Sequence, residues 1–403
     1  MTDIRYHLTK GVKDTTAAKK LFPAAVINEA TLFHSQLPGY RYTPCVQLPH
    51  LAKELGVGEI WVKDESQRLS LNSFKALGGS YAIYRLVQQL FDIPDEKMSY
   101  EYLLSSYMRA KLQALTFASA TDGNHGKGVA WFSALLGAKC HIYVPSDTTA
   151  SRIEAIKAFG AQLTVVQGTY DDAVNQVKVD AKAHSWHIVS DTSWSGYTQV
   201  PLWIMQGYAT MMKEIEEQRP QGPTHIIIQA GVGALGAAVL GYYYAAGDQE
   251  PISIIVEPEK AACLLESAQI ADGKAHAVGG SLQTIMAGLS CGQPSEEAWN
   301  ILKGITDAYL SVPDYVAALG MRILASPVGD DAKIVSGESA AVGVGTLAYI
   351  CKEAALTPLR QVLELDESSR ILFISTEGNT DPSHYRSVVW EGTSHTPATK
   401  RLW

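Results

Sequence analysis

Short apolar runs alternate with helical segments along most of this chain, and this alternation restricts the fold more than any other feature of the sequence. The apolar runs lie at 59–63, 116–119, 140–144, 162–166, 187–189, 225–229, 252–256 and 370–374. Strands separated by helices in this way are typical of a parallel, doubly wound sheet. The sequence therefore predicts an α/β fold of open, twisted, mostly parallel sheets flanked by helices.

The length of the chain indicates two domains. With 403 residues, of which 46% are hydrophobic, it exceeds the size at which a single core stops growing, roughly 250–300 residues. No internal repeat or low-complexity linker separates two halves, so we expect the domains to be interleaved. The predicted large domain holds residues 1–83 and 195–403, and the predicted small domain holds residues 84–194.

Charge and cysteine content narrow the choice of partners and compartment. The chain has 33 Lys and Arg against 41 Asp and Glu, a formal charge of -8, and no basic run that could follow a phosphate backbone. Nucleic acid and anionic membranes are therefore not expected as partners. The 5 cysteines are odd in number and lack the spacing of a zinc site, which indicates a reducing compartment and no bound metal. The N-terminal residues are polar and lack an apolar signal core, so we expect a cytoplasmic protein.

One uncharged run, residues 226–246, has the length of about 20 residues that a membrane span requires. It divides into a β-branched strand, a glycine turn and an alanine-rich helix, which is the pattern of a buried strand–turn–helix unit. We therefore predict a buried unit here and no membrane span.

A single lysine, Lys75, lies where a loop is expected to become a helix, next to an aromatic residue and close to two glycines. Most lysines are solvated surface groups, so a chemical role for Lys75 has to be supported by the residues around it. Asn72 or Ser73 is the expected helix N-cap, which would put the amine near the positive end of a helix dipole and favour its uncharged, nucleophilic form. An uncharged amine can form a Schiff base with an aldehyde cofactor.

A glycine-rich turn follows the strand that ends at Gln229 and precedes an apolar helix. Its residues are Gly231, Val232, Gly233, Ala234, Leu235 and Gly236. Consecutive backbone N–H groups at a helix start bind anions, so a phosphate is the expected ligand. The spacing also matches a dinucleotide-binding motif with Glu257 as the ribose-binding acid, which would indicate a nicotinamide-dependent oxidoreductase. Tight packing without a ligand is a third interpretation, and the position of the turn late in the chain argues against a simple nicotinamide-binding domain.

Three further polar turns, at 121–126, 336–339 and 375–381, follow strands or open helices. In an open α/β sheet such turns lie at the carboxyl ends of the strands and converge on one crevice. Each turn alone could equally be a polar loop or a helix cap. Four such turns together with Lys75 favour a binding site.

These motifs resemble a known family, the fold-type II pyridoxal-phosphate enzymes, which include serine and threonine dehydratases and cysteine synthase. The triplet Ser73-Phe74-Lys75 resembles the cofactor-lysine motif, residues 123–126 resemble the asparagine loop, and residues 231–236 resemble the phosphate loop. The resemblance covers about residues 40 to 385. It implies pyridoxal 5'-phosphate as cofactor, a small amino acid as substrate and a homodimer as the assembly.

The resemblance also assigns roles to residues of this chain. Lys75 would hold the cofactor aldehyde, and Asn124 would hydrogen-bond the ring hydroxyl. Ser375 would face the pyridine nitrogen, with Thr376 as the alternative. The remaining expected cofactor-binding residues are Phe74, Gly231, Val232, Gly233, Ala234, Leu235, Gly236 and Glu338.

Two acids depart from the common pattern of the family. Asp122 occupies a loop position where many relatives have a hydroxyl residue, and Asp191 follows the strand at 187–189. A carboxylate there would suit a substrate with an additional ammonium group, or would act as a base. With residues 72–79 and 286–292, these acids most closely resemble the branch of the family that acts on 2,3-diaminopropionate. That resemblance implies elimination of both amino groups, from either enantiomer, to give pyruvate and ammonia.

Our hypothesis is that Asp122 takes the α-proton from one enantiomer and Asp191 from the other. The alternative for Asp191 is a helix N-cap. His125 is expected to pack under the cofactor or to act as a further acid or base, and a disulfide between Cys263 and Cys291 stays open. The alternative functions are a serine or threonine dehydratase, a β-replacement synthase, and the oxidoreductase.

Overall fold

The structure of the protein is a computed structural model that describes residues 3–121, 123–247, 250–400 and 402–403. The chain divides into two compact units. The first unit comprises Met1–Pro23, Tyr42–Gln67 and Met211–Trp403, and the second comprises Ala24–Arg41 and Arg68–Thr210. The boundaries expected from the sequence stay a prediction; the observed grouping differs from them in assigning 24–41, 68–83 and 195–210 to the second unit.

The described residues form an α/β fold, as predicted. Their strands are, in chain order, β1 (Arg5–Leu8), β2 (Cys45–Gln47), β3 (Glu59–Asp64), β4 (Thr116–Ala120), β5 (Lys139–Pro145), β6 (Gln162–Val166), β7 (His187–Ile188), β8 (His225–Gln229), β9 (Ile252–Pro258), β10 (Ala308–Val312) and β11 (Arg370–Ser375). Their α-helices are α1 (Thr16–Leu21), α2 (Ala24–Ser35), α3 (Pro49–Leu55), α4 (Lys75–Leu90), α5 (Tyr100–Leu103), α6 (Ser106–Leu112), α7 (Asn124–Leu136), α8 (Ala150–Lys157), α9 (Tyr170–His184), α10 (Gln199–Gln218), α11 (Ala234–Ala246), α12 (Cys263–Ile270), α13 (Glu296–Ile305), α14 (Asp314–Ala325), α15 (Glu338–Lys352), α16 (Thr357–Val362) and α17 (Pro382–Val389). All eight strands expected from the sequence are present.

The first unit is built on a seven-stranded sheet with the order β1-β10-β9-β8-β11-β3-β2. Its inner pairs are parallel, whereas β1 and β2 are antiparallel edge strands. The strands β1, β2 and β10 were not among the sequence predictions. The second unit is built on a four-stranded, fully parallel sheet with the order β6-β5-β4-β7.

The uncharged run 226–246 is the predicted strand–turn–helix unit, made of β8, a glycine turn and α11. The strand β8 is buried along its whole length, because it lies inside the parallel sheet of the first unit. Within the described residues, no helix has both the length and the apolar character needed to cross a membrane.

In the second unit, small residues allow helices to approach the first turn of α4 closely. A Cβ on Gly128 of α7 would lie 2.9 Å from Cα of Ala76, and a Cβ on Gly207 of α10 would lie 2.7 Å from the Leu77 carbonyl oxygen. Helix α4 begins at Lys75, so these contacts fix the backbone next to that lysine. The packing of the second unit therefore sets the place of the Lys75 side chain.

Candidate active site

Lys75 is the first residue of α4, so its backbone stands at the helix start that the sequence indicates. The prediction of Asn72 or Ser73 as the N-cap was wrong, because Phe74 holds the cap position and makes no side-chain capping bond. Ser73 Oγ accepts a hydrogen bond from the Lys75 backbone N at 3.4 Å, and Asn72 has a left-handed φ of 60°. A left-handed residue two positions before the cap turns the chain sharply, and the Ser73 side chain supports this turn through its bond to the Lys75 backbone.

The Lys75 amine forms an ion pair with the carboxylate oxygen Oδ2 of Asp191. The side chains of Lys75 and Asp191 are 20% and 9% exposed, so the pair is largely but not wholly removed from solvent. Lys75 Nζ also lies 5.5 Å from the centre of the Phe74 ring. The structure therefore brings two of the expected site residues, Lys75 and Asp191, into direct contact.

Asp191 follows β7 in an irregular segment, and its carboxyl is held in the charged form. Burial acts to raise its pKa, but the charges of Lys75 and His125 and the Lys75 hydrogen bond outweigh burial, so its pKa lies well below the usual range. The Tyr170 hydroxyl donates to the other oxygen, Oδ1, at 3.3 Å. The helix-cap interpretation of Asp191 was wrong, because the next helix begins only at Gln199. An ionised carboxylate beside an amine can accept and return a proton.

The turn after β4 carries the asparagine-loop residues. Thr121 Oγ1 accepts hydrogen bonds from the backbone N of Gly123 at 2.9 Å and of Gly126 at 3.0 Å, and Gly123 has a φ of 146° that favours glycine. Asn124 is the first residue of α7, half-buried in this turn. Asp122 lies outside the described residues. Its expected role is therefore carried forward as a hypothesis.

His125 is buried under this turn and contacts the segment that carries Asp191. Its Nε2 lies 2.8 Å from the backbone oxygen of Val189, so Nε2 carries a proton and donates it to the carbonyl. This bond fixes the imidazole ring while its charge acts on Asp191. The contact is consistent with a packing and electrostatic role of His125.

The glycine-rich turn in the first unit connects β8 to the buried helix α11, which begins at Ala234. Gly233 caps this helix with a φ of 96°, a conformation that other residues adopt only with strain. A Cβ on Gly231 would lie 3.1 Å from Cα of Leu289 and 3.3 Å from Sγ of Cys291. The first turn of α11 presents unbonded backbone N–H groups, which bind a phosphate well.

Glu257 does not fit the role of a ribose-binding acid. Its carboxyl is fully buried, and its two oxygens accept hydrogen bonds from the backbone N of Leu264 at 2.8 Å and of Leu265 at 2.7 Å. Burial raises the pKa of Glu257 to about 8, although these backbone donors act to lower it. Both oxygens thus stabilise the start of α12. The dinucleotide interpretation loses the acid on which it depended.

Two of the polar turns meet at the end of β11. Ser375 Oγ donates to Ser336 Oγ at 2.9 Å, and Thr376 Oγ1 accepts from Gln229 Nε2 at 3.0 Å. The backbone N of Gly337 donates to the Glu377 oxygen at 3.0 Å, which joins the turns directly. Glu338 is the first, buried residue of α15. Residues 336–339 and 375–378 therefore form one buried polar cluster beside the end of β8.

All 5 cysteines lie among the residues that the structure describes, and each of them is a free thiol. Cys263 Sγ donates to the Gly231 backbone oxygen at 3.6 Å, and Cys291 Sγ is the sulfur that a Cβ on Gly231 would approach. Burial raises the pKa of the Cys263 thiol well above its usual value. Both thiols thus pack against the glycine-rich turn as reduced side chains.

Each unit, taken by itself, offers groups that fit one part of pyridoxal phosphate. An amine suited to an aldehyde stands at a helix start beside a carboxylate, and a glycine turn offers N–H groups for a phosphate. In addition, the buried hydroxyl of Tyr208 has no hydrogen-bond partner within the described part of the chain. The Tyr208 ring packs 4.6 Å from that of Phe74, next to Lys75. A buried hydroxyl without a partner is costly, so a bound group near Lys75 would satisfy it.

The sequence interpretation missed three tyrosines of the second unit. Tyr170 contacts Asp191, Tyr208 packs beside Phe74, and Tyr197 contacts the backbone next to Asp191. These residues lie far from Lys75 in the sequence and belong to no motif. A single sequence holds no signal for them, because their roles follow from tertiary contacts.

The chain is similar to proteins of described activity over nearly its whole length. Residues 36–377 match the family model described as "Pyridoxal-phosphate dependent enzyme". The diaminopropionate ammonia-lyase of Escherichia coli (strain K12) is 45% identical over 376 residues, which are 92% of this chain and 93% of that protein. A crystal structure of diaminopropionate ammonia lyase from Escherichia coli in complex with D-serine has a TM-score of 0.89 and 42% identity, covering 97% of this chain and 98% of that one. A second, in complex with an aminoacrylate-PLP azomethine reaction intermediate, has a TM-score of 0.87 with the same 42% identity and the same coverage of 97% and 98%.

Proposed function

Because the chain belongs to the pyridoxal-phosphate-dependent enzymes, and among them to the diaminopropionate ammonia-lyases, we propose that it converts 2,3-diaminopropionate into pyruvate and ammonia. It is a carbon–nitrogen lyase whose cofactor is pyridoxal phosphate. The observation that carries the proposal is the ion pair between Lys75 and Asp191 at the start of α4. The reaction consumes one water and releases two ammonia molecules for each pyruvate.

The cofactor contacts are proposed as the family resemblance implies. Lys75 would bind its aldehyde, Asn124 its ring hydroxyl, and Ser375 or Thr376 its pyridine nitrogen. The remaining proposed cofactor-binding residues are Phe74, Gly231, Val232, Gly233, Ala234, Leu235, Gly236 and Glu338. The helix start at Ala234 and the left-handed glycine cap at Gly233 support the assignment of the phosphate to this turn.

Asp191 would be the base that takes the α-proton of one enantiomer. When bound, the cofactor withdraws electrons from the α-carbon of an attached amino acid and so makes its hydrogen acidic. While Lys75 is an ammonium ion, its charge holds the pKa of Asp191 low. Once Lys75 loses that charge, burial is no longer opposed by its neighbour, the pKa of Asp191 rises, and Asp191 becomes a stronger base. The base thus gains strength when Lys75 is engaged.

Asp122 would take the proton of the other enantiomer, from the turn that opens α7. Two acids approaching from opposite faces of the α-carbon would let one site use both isomers. A carboxylate would also attract the second ammonium group of a diamino acid, which serine and threonine lack. These two acids are therefore proposed to set both the choice of substrate and the tolerance of its configuration.

The alternative functions are not favoured. A nicotinamide-dependent oxidoreductase is inconsistent with the family and with the buried, backbone-bonded Glu257. A serine or threonine dehydratase or a β-replacement synthase would share the cofactor but not the 45% identity to a diaminopropionate ammonia-lyase. We also propose a homodimer, as the family resemblance implies, and a cytoplasmic location, which the cysteine pattern favours.

Product analysis tests the proposed function. The purified protein is reconstituted with pyridoxal phosphate, and pyruvate and ammonia are measured with D- and L-2,3-diaminopropionate, serine and threonine. We expect two ammonia per pyruvate from both diaminopropionate isomers, and a kcat/KM at least about 100-fold above that with serine. A higher kcat/KM with serine or threonine would assign the protein to the dehydratases instead.

A further inference from the structure

The hydroxyl of Tyr197 forms hydrogen bonds to the backbone on both sides of Val189, which lies two residues before Asp191. It accepts a hydrogen bond from the Ser190 backbone N at 2.8 Å and donates one to the Ile188 carbonyl at 3.0 Å. Ser190 is the neighbour of Asp191 in the chain. One side chain therefore holds the backbone at the end of β7, immediately before the proposed base.

The same backbone is also hydrogen-bonded to β4 and to α7 through Val189. Val189 N donates to the Ala118 oxygen at 2.8 Å, and the Val189 oxygen accepts from Ser119 Oγ at 2.7 Å and from His125 Nε2 at 2.8 Å. Each of these bonds ends at Val189. The Tyr197 bond reaches Ser190, the residue directly before Asp191, and the Ser190 hydroxyl in turn accepts a hydrogen bond from the Thr192 backbone N at 3.4 Å.

Tyr197 is itself fixed by a tight turn. Residues 194 and 197 form an isolated antiparallel bridge, with backbone bonds of 3.3 and 2.8 Å, and Gly196 between them has a φ of 81°. The rings of Trp194 and Tyr197 stack with their centres 4.1 Å apart and an interplanar angle of 10°. Lys178 Nζ lies 4.0 Å from the centre of the Trp194 ring. A side chain whose own position is fixed by its turn and by ring stacking can fix the position of the loop to which it is hydrogen-bonded.

The surroundings of the Tyr197 phenol favour its protonated form. Burial raises the pKa of Tyr197, and the nearby charge of Asp191 raises it further, against the bond from Ser190. The hydroxyl therefore remains both donor and acceptor, as its two backbone bonds require. Within the part of the chain that the structure describes, the Tyr197 hydroxyl bonds to the Ser190 and Ile188 backbone and not to Lys75 or the Asp191 carboxyl, so it would act through the backbone.

We propose that Tyr197 is a positioning residue that holds Asp191 in register with one enantiomer of the substrate. This inference rests on the proposed elimination from 2,3-diaminopropionate and on the division of the two isomers between Asp191 and Asp122. A small displacement of a base from its proton lowers the rate strongly. Loss of the Tyr197 hydroxyl would consequently weaken turnover of the isomer that Asp191 serves and spare the other.

The test compares three variants with both isomers. Asp191→Asn first identifies the isomer that depends on Asp191. For that isomer we expect Tyr197→Phe to lower kcat about 10-fold, with KM unchanged and a loss below about 2-fold for the other isomer. The control Tyr84→Phe removes a buried hydroxyl of the same unit that donates to the Met98 carbonyl at 2.9 Å, and should affect both isomers equally and weakly.

Melting temperature and the visible cofactor band are recorded for each variant, because a general loss of structure would change both. If Asp191→Asn is selective but Tyr197→Phe lowers kcat equally for both isomers, or for neither, the positioning role is refuted while the proposed function stands. If Asp191→Asn itself impairs both isomers alike, the division between the acids is refuted and this inference with it. Should Tyr197→Phe fail to fold, Ser119→Ala removes another bond of the segment and must show the same isomer bias; an equal loss would refute the role.

Discussion

Two buried carboxyl groups, Asp191 in the second unit and Glu257 in the first, stand at the carboxyl ends of parallel strands but differ in what surrounds them. Asp191 contacts the Lys75 amine and the Tyr170 hydroxyl. Glu257 accepts two backbone N–H groups at the start of α12. Burial favours the neutral form of both acids; at Asp191 the neighbouring charges prevail and lower the pKa, whereas at Glu257 burial prevails and raises it to about 8.

The difference shows that a strand end alone does not make an acid reactive. The proposed reaction of Lys75 would change the charge of the side chain that Asp191 contacts, so the basicity of Asp191 would change during turnover. The partners of Glu257 are backbone groups that keep their places. Asp191 is therefore the candidate for proton transfer, and Glu257 is a structural group.

Removal of Lys75 should have the largest effect. We expect Lys75→Ala to lower turnover of both isomers by about 1000-fold or more, because it removes the group proposed to bind the cofactor aldehyde. The variant should also lack a cofactor band that borohydride bleaches. Turnover within about 10-fold of the wild type would show that Lys75 is not the reacting group.

Replacement of Asp191 should have the next largest effect. We expect Asp191→Asn to lower kcat for one isomer by about 100- to 10,000-fold, the usual contribution of a general base, and to spare the other.

The same substitution should change how stability depends on pH. In the cofactor-free protein, the pKa of Asp191 lies below the ordinary carboxyl pKa near 3.8, so the ion pair stabilises the fold above pH 3.8 and this stabilisation is lost as the pH falls below that value. The stability difference between wild type and Asp191→Asn should thus shrink in acid. Urea unfolding at pH 7 and pH 3 measures it, and a difference that grows in acid would contradict the ion pair.

Substitution in the glycine turn of the first unit should affect cofactor binding, and should therefore impair the protein more than substitution of Glu257. We expect Gly233→Ala to weaken pyridoxal phosphate binding about 10-fold, because alanine is strained at a φ of 96° and would distort the N–H groups of the turn. Titration of the cofactor followed by absorbance gives the Kd. The control Gly247→Ala has a φ of 76° at the other end of α11 and should leave the Kd unchanged. Equal losses in both would trace the effect to general strain.

Replacement of Glu257 should have the smallest effect on activity and a distinct effect on stability. The pKa of Glu257 is about 8 in the folded protein, above its ordinary value of 4.5. Between pH 4.5 and pH 8, the folded protein therefore keeps a proton on Glu257 that the unfolded chain has released. The contribution of Glu257 to stability is therefore greatest below pH 4.5 and is lost as pH rises towards 8. We expect Glu257→Gln to change kcat less than about 2-fold, and to gain a few degrees in Tm relative to wild type between pH 5.5 and 8.5. A large loss of kcat would make Glu257 part of the chemistry.

The comparison also shows where sequence reasoning succeeded. Apolar runs between helices predicted most of the parallel strands, since a parallel strand that is buried on both faces is apolar throughout, but the buried inner strand β10 was missed. The edge strands β1 and β2 escaped because they are short and partly exposed, so they lack that signal. At Lys75 the sequence predicted a helix start, which the structure confirms, and the role of Lys75 as the cofactor lysine stays a prediction. The sequence did not predict the side-chain-to-backbone bonds of Glu257 and Tyr197, which span only 7 to 9 residues but belong to no motif.

The attachment of the cofactor to Lys75 is the central claim, and peptide mapping tests it most directly. The protein is loaded with pyridoxal phosphate, reduced with borohydride, digested and analysed by mass spectrometry. We predict that the added mass lies on the peptide containing Lys75 and that Asp191→Asn leaves this assignment unchanged. Modification of a different lysine, with Lys75 unmodified, would contradict the account.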